Sequence, residues 1–178
     1  MLGKASRTAL LTLAVAAPSL VYANNFNYNA FQIRLGADPG TMGAEFTTYF
    51  TENTHFIVRG DSRFDGDWDV AGGIGFNGPA GQFADVYGQL LVHNIKQKNH
   101  DTWDTDFASE FNIGSRIWFL QNVEGDARIG MLNGNDDTKF IWKVGARFHS
   151  TDALSIGAAL FDNGTYGNQV EMSVAFNF

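Results

Sequence analysis

The C-terminal stretch Val170 to Phe178, with the sequence VEMSVAFNF, decides the fold of this chain. Side chains of an extended strand point alternately to its two faces, so every second residue shares a face. One face carries Val170, Met172, Val174, Phe176 and Phe178. The other face carries polar or small residues up to the end. A strand that lies between lipid and a polar interior has this pattern. A strand of a soluble β-sandwich can share it, but its terminal aromatic residue would then need to be covered by another part of the protein.

Similar alternating segments follow one another along the chain, with turn residues between them. They span residues 27–37, 42–50, 55–63, 68–77, 83–95, 107–119, 126–132, 139–148, 154–160 and 170–178. A tilted strand needs roughly ten residues to cross the hydrocarbon layer. We therefore predict an all-β fold, a closed antiparallel up-and-down transmembrane β-barrel of about ten strands with both termini on one side. Eight strands are the alternative if the first or the seventh segment does not pair over its full length.

The composition narrows the class of protein. The chain has 178 residues, a length typical of one domain, and no cysteine, so it has neither a disulfide nor a lipidation site. A hydrophobic fraction of 44% with a mean hydropathy of −0.15 argues against a helical membrane protein, but it suits alternating strands. The net charge of −7 argues against nucleic-acid binding, because a phosphate-binding surface needs an excess of basic residues.

The N-terminus has the pattern of a secretory signal peptide. A basic start is followed by an apolar run over residues 9–17 and by Val21-Tyr22-Ala23, which has small residues at the positions that signal peptidase reads. The apolar run is too short to span a bilayer. We predict a signal peptide over residues 1–23 and a barrel domain over residues 24–178.

Aromatic residues mark one end of the predicted barrel. The even-numbered segments all end on an outward-facing phenylalanine: Phe50, Phe76, Phe119, Phe148 and Phe178. These five residues are predicted to form an aromatic girdle at the periplasmic interface. The connections at the opposite end, over residues 96–106, 133–137 and 162–168, are longer or more polar and are predicted to be outer-surface loops.

The same alternation directs charged side chains into the lumen. The predicted lumen charges are Arg34, Glu45, Arg59, Asp61, Arg63, Asp69, Asp85, Glu110, Arg116, Arg128, Lys143, Arg147 and Glu171. Opposite charges are nearly balanced, and unpaired ions in a narrow cavity are costly to desolvate, so we predict ion-pair networks across the barrel. Structural filling of the lumen is the favoured interpretation, and a narrow water-filled path is the alternative.

The C-terminal strand resembles the insertion signal of small Gram-negative outer-membrane β-barrel proteins of the OmpA-like, OmpX-like or porin-like kind. The matching residues are the terminal Phe178 and the apolar residues two, four and six positions before it, Phe176, Val174 and Met172. Residues 140–178 are also similar to the final hairpins of such proteins. The resemblance implies location in the bacterial outer membrane, contact with its lipid and lipopolysaccharide, and insertion by the barrel-assembly machinery.

Candidate catalytic and metal-binding groups are weak. His149 to Asp152 superficially resembles the H-x-S-N signature of lipid A deacylases, but Thr151 stands where the serine would be and Asp152 where the asparagine would be. His93 and His100 flank a polar stretch with several aspartates whose spacing matches no metal template. We expect no catalytic residue, no metal and no cofactor.

The functional prediction is a monomeric outer-membrane barrel with a structural or surface-interaction role. A narrow porin-like channel for ions or small solutes is the first alternative. A lipid-modifying enzyme and a periplasmic β-sandwich binding module are the others.

Overall fold

A computed structural model describes residues 26–99, 102–135 and 137–178. They form ten strands: β1 (Ala30–Ala37), β2 (Thr41–Thr51), β3 (Thr54–Ser62), β4 (Trp68–Pro79), β5 (Ala84–Asn99), β6 (Thr102–Leu120), β7 (Val123–Asn133), β8 (Thr138–His149), β9 (Leu154–Asp162) and β10 (Asn168–Asn177). None of these residues belongs to a helix long and apolar enough to cross a membrane. The predicted signal peptide, residues 1–23, lies outside the described residues.

The strands close into one barrel. Each strand pairs antiparallel with the next along the chain, and β1 pairs with β10 from Ala30–Asn177 to Ala37–Val170. Eight strands were the alternative if the first or the seventh segment did not pair. The strand β7 is bonded along its length to β6 and to β8, and β1 is bonded from Ala30 onward to β2 and to β10. The prediction of a ten-stranded up-and-down barrel is therefore confirmed.

The barrel is apolar outside and polar inside. In β10, Glu171, Ser173 and Ala175 are buried, whereas Met172 and Phe176 between them are exposed. Every other strand also places large hydrophobic side chains on the outer surface. Soluble proteins have the opposite arrangement, with apolar side chains inside and polar ones outside. In this barrel the polar face of each alternating strand points toward the barrel axis.

The longest hairpin corrects one sequence prediction. Residues 96–106 were expected to be an outer loop, but β5 continues to Asn99 and β6 begins at Thr102, with Lys96 opposite Thr105. A strand that extends beyond the apolar layer has polar residues on both faces, so hydrophobic alternation no longer marks it. This hairpin therefore projects beyond its neighbours as paired strand.

The barrel has two ends, which we call the terminal end and the loop end. The terminal end carries both described chain ends and the turns β2–β3, β4–β5, β6–β7 and β8–β9. The loop end carries the other five connections. Three small apolar clusters are buried inside: Phe26, Tyr28 and Tyr87 at the terminal end, Ile57, Ala71 and Leu91 on β3 to β5, and Ala108, Leu132 and Ile141 on β6 to β8.

Candidate functional site

The first ion-pair cluster joins five strands around Arg34, which projects inward from β1. Its guanidinium donates to Glu45 of β2 at 2.7 Å and to Asp61 of β3 at 2.8 Å. Glu171 of β10 lies 3.9 Å from Arg34 and accepts a 2.8 Å bond from Lys143 of β8. This Arg34 cluster ties the β1–β10 closure of the barrel to the strands on both sides.

The second cluster is centred on His93, which is 1% exposed. Its Nδ1 lies 2.7 Å from Asp69 of β4, and its Nε2 lies 2.9 Å from Glu110 of β6. Arg59 of β3 donates to the same Glu110 carboxylate. His93 shares the inward face of β5 with Asp85 and Gln89, and nothing in the sequence around it indicated that two carboxylates would hold the ring.

The third cluster lies at the terminal end around Arg116 of β6. Arg116 binds both carboxylate oxygens of Glu124, at 2.6 and 2.8 Å, and His149 lies 3.1 Å from the same carboxylate. A two-point arginine–carboxylate pair fixes the orientation of both groups. Glu124 was missed in the sequence because the seventh segment was predicted to begin at residue 126, whereas β7 begins at Val123.

Residues 26–29, which we call the N-terminal strap, fold into the terminal end of the lumen. Phe26 is 4% exposed and Tyr28 6%, although neither belongs to a strand. Phe26 stacks on Trp118 at a centroid distance of 5.6 Å, and Tyr28 stacks on His55 at 4.5 Å. The first predicted segment began at residue 27, so the structure shortens it and assigns its first residues to the strap.

Two charged groups of the wall hold the strap. The Tyr28 hydroxyl donates to Asp85 at 2.8 Å, and the Arg116 guanidinium lies 4.7 Å from the centre of the Tyr28 ring. Arg116 also donates to the carbonyl of Asn27 at 2.9 Å. Burial, together with Asp85, raises the pKa of Tyr28 well above its usual value, although Arg116 opposes the shift. The hydroxyl therefore remains a hydrogen-bond donor throughout the physiological pH range.

Residues 163–167, which we call the mouth loop, fold into the opposite end. Thr165 donates to Asp69 of the His93 cluster at 2.6 Å. Tyr166, which is buried, donates to the carbonyl of Asp61 at 3.2 Å. Gly164 has a φ of +77° and lies against Leu132, so this tight inward turn requires glycine. The sequence predicted an outer-surface loop at residues 162–168, whereas the structure folds residues 163–167 into the mouth of the barrel.

Arg63 departs from its predicted place in the lumen. The strand β3 ends at Ser62, so alternation no longer governs the next residue, and the Arg63 side chain is 36% exposed at the rim. It pairs with Asp67 of the same turn at 2.6 Å and lies over the ring of Tyr166 at 5.4 Å. Burial alone would raise the pKa of Asp67, but hydrogen bonds from Arg63 outweigh it and lower the pKa.

A small polar cavity lies between the strap and the Arg34 cluster. It has a volume of about 80 Å³, enough for several water molecules. Arg147 donates to Gln32 at 3.0 Å and Arg128 to Gln89 at 3.4 Å along its wall. Polar side chains thus line the central lumen, and the strap covers the cavity on the terminal side.

The structure places the predicted girdle residues on the outer wall of the terminal end and the predicted insertion residues along the outer face of β10. Phe50, Phe76, Phe119, Phe148 and Phe178 all face outward and are 48–65% exposed. Met172, Val174 and Phe176 lie on the same outer face of β10. Phe178 stacks on Phe46 of β2, with ring centroids 5.8 Å apart.

Two residues of the catalytic candidate stretch, Ser150 and Thr151, form hydrogen bonds within the β8–β9 turn. Ser150 donates its hydroxyl to the carbonyl of Leu154 at 3.0 Å, and the Thr151 hydroxyl accepts from the Leu154 amide at the same distance. Within the described part of the chain, no group of three or more metal-ligating side chains is placed to hold an ion. His100 lies outside the described residues.

Comparison with known proteins addresses the fold. No protein-family model and no curated protein sequence matches the chain. The KdgM porin, solved in complex with disordered oligogalacturonate, has a TM-score of 0.51 and 7% identity over 84% of this chain and 99% of its own. The chain shares the closed antiparallel β-barrel fold of this porin.

Two further barrels cover similar shares of the chain. The N-terminal β-barrel domain of OprF from Pseudomonas aeruginosa has a TM-score of 0.46 and 13% identity over 86% of this chain and 100% of its own. The outer membrane protein Omp33 of Acinetobacter baumannii has a TM-score of 0.42 and 9% identity over 85% and 99%. At such identities the likeness concerns the fold alone.

Proposed function

We propose that the chain is an integral outer-membrane protein with a structural or surface-interaction role, in which the lumen is closed at rest. The observation that carries the proposal is the distribution of side chains across the wall. All ten strands expose large hydrophobic residues, and the charged clusters face the axis. In water, barrels with such an apolar outer wall would aggregate, whereas the hydrocarbon layer of a membrane solvates the wall.

The proposed orientation puts the terminal end in the periplasm. The five girdle phenylalanines then lie at the inner interface, where aromatic side chains are favoured. The insertion signal that ends at Phe178 is then presented to the barrel-assembly machinery from the periplasmic side. The longer β5–β6 hairpin reaches outward toward lipopolysaccharide and the cell exterior. We propose that the protein works as a monomer, because the closed barrel leaves no sheet edge to pair.

The closed lumen favours a structural role over a permanent pore. The strap occupies one end, the mouth loop occupies the other, and the Arg34 and His93 clusters cross the space between them. The mature protein should need detergent to stay dispersed, migrate faster on gels before heating than after, and show no steady conductance in planar bilayers. A soluble, monomeric chain in plain buffer would overturn the membrane assignment, and steady openings of the intact protein would overturn the closed lumen.

A narrow channel for ions or small solutes is the second candidate function. The polar lining of the cavity and the similarity of the fold to the KdgM porin favour it. Such a channel would require both the strap and the mouth loop to move, because each covers a different end.

A lipid-modifying enzyme is the least favoured function. The hydroxyls of Ser150 and Thr151 bond to the backbone of Leu154 within their turn, and His149 Nε2 lies against Glu124. Mass spectrometry of lipid A from cells that overproduce the protein should show no new species. A new lipid A species that depends on His149 would overturn this expectation.

A further inference from the structure

The N-terminal strap touches the last residue of the chain as well as the lumen. The amide of Phe178 donates to the carbonyl of Asn29 at 3.2 Å, and the side chain of Asn27 donates to the carbonyl of Phe178 at 3.3 Å. The side-chain oxygen of Asn29 accepts a 2.7 Å bond from the amide of Tyr49. The strap is therefore a folded part of the barrel, seated between β2 and the end of β10.

Closure of the barrel does not depend on the strap. The eight residue pairs between β1 and β10 begin at Ala30, one residue after the strap ends. Inside the lumen, Phe26 and Tyr28 stack on the rings of Trp118 and His55, and the Arg116 guanidinium lies over both strap rings. The Phe26 carbonyl accepts a 3.0 Å bond from the Tyr49 hydroxyl, and the Tyr28 hydroxyl donates to Asp85. None of these contacts belongs to a strand pairing. The strap can leave without breaking a strand pairing.

The surface beneath the strap is polar and incompletely bonded. His55 Nε2, Asn77 Nδ2 and Asp85 Oδ1 are buried and make no hydrogen bond of ordinary length and angle to another described residue. Buried groups of this kind favour hydration. Departure of the strap would expose them to water, which partly compensates for the aromatic contacts that are lost.

We propose that the N-terminal strap is a displaceable seal that keeps small polar solutes out of the central cavity from the terminal end. When Phe26 and Tyr28 leave, the cavity lined by Gln89, Arg128 and Arg147 opens on that side. The mouth loop stays in place, because its bonds to Asp69 and to Asp61 involve none of the strap residues. The strap seals the folded barrel in detergent as well as in a membrane, wherever the protein lies in the cell.

Thiol labelling tests the seal, because the chain has no native cysteine. A single Gln89→Cys substitution places a thiol in the cavity wall, and a small charged methanethiosulfonate reagent reports whether solutes reach it in detergent-folded protein. We expect slow labelling with the intact strap. Adding Phe26→Ala and Tyr28→Ala should accelerate labelling at least tenfold.

Matched controls separate opening of the seal from loss of the fold. A Glu52→Cys thiol in the exposed β2–β3 turn should label at the same rate with and without the strap substitutions. Heat-modifiable gel migration should show that both proteins remain barrels. If the double alanine variant does not fold, Tyr28→Ala alone provides the comparison. Equal labelling of Gln89→Cys with intact and altered straps in folded protein, whether fast or slow, overturns the proposal.

Discussion

The guanidinium of Arg116 lies 4.7 Å from the ring centre of Tyr28 and binds both carboxylate oxygens of Glu124 on the neighbouring strand. One side chain thus joins the β6–β7 wall to the segment that closes the lumen. A cation that pairs with a carboxylate and stacks on an aromatic ring contributes most to stability where water is excluded.

Replacing Arg116 with lysine should weaken the barrel far more than the same change at Arg63. Lysine cannot make the two-point bond to Glu124 or stack its charge flat over Tyr28. Arg63 pairs with Asp67 at the exposed rim, where an ion pair is worth about 0–1 kcal/mol. Urea unfolding of detergent-folded protein should show a large shift of midpoint for Arg116→Lys and a small one for Arg63→Lys. Equal shifts would mean that the buried pair gains nothing from its surroundings.

The Glu110→Gln variant should be destabilised by about 3–5 kcal/mol, the usual cost of leaving a buried charge without its partner. Glu110 accepts from Arg59 and faces His93, so the amide removes the negative charge that pairs directly with Arg59. Glu52→Gln in an exposed turn is the matched control and should be neutral. A Glu110→Gln midpoint within error of the native protein would contradict the network described for the His93 cluster.

Insertion should fail when Phe178 becomes aspartate, because a charge then replaces the terminal aromatic residue of the proposed signal. Phe64→Asp is the control: Phe64 is 74% exposed outside the strands, and its φ of +65° suits aspartate better than phenylalanine. The measurement is the heat-modifiable fraction in the outer-membrane preparation. Normal assembly of Phe178→Asp would show that this residue is not part of a signal.

Acid should loosen the β3–β4 turn. The pKa of Asp67 is lowered from its ordinary value of 3.8, which means that the ionised carboxylate stabilises the folded state. This contribution to stability is fully present above about pH 4. That stabilisation is lost as the pH falls through the lower pKa of the folded state. Amide exchange of Arg63, whose N–H donates to Asp67, should therefore be constant from pH 5 to 8, once corrected for intrinsic exchange, and accelerate below pH 4. The Asp67→Asn variant should lack the acid-dependent step.

Conductance should need the removal of both seals. Deleting the strap leaves the mouth loop bonded to Asp69, and shortening the mouth loop leaves Tyr28 in place. We expect discrete openings in planar bilayers only when both changes are combined. Openings after strap deletion alone would show that the mouth loop does not block the other end.

The alternation of residues along each strand determined most of the fold. Polar and apolar positions in stretches such as 170–178 fixed which side of the wall each residue occupies, and the spacing of the turns indicated ten strands. This information is local, because a strand repeats every two residues whatever its partners are. The inward positions of Arg34, Glu110 and Arg116 followed from it directly.

Only the tertiary structure decided which charges pair and how the lumen closes. Arg59 and Glu110 are 51 residues apart in the chain, and their meeting depends on how the strands are staggered around the barrel. The mouth loop at 163–167 has no periodic pattern, and the alternation of aromatic residues and asparagines in the strap at residues 26–29 is too short to specify which face turns inward. They fold inward because the finished barrel offers them a confined space lined with hydrogen-bonding and aromatic side chains, which exists only after distant strands have come together.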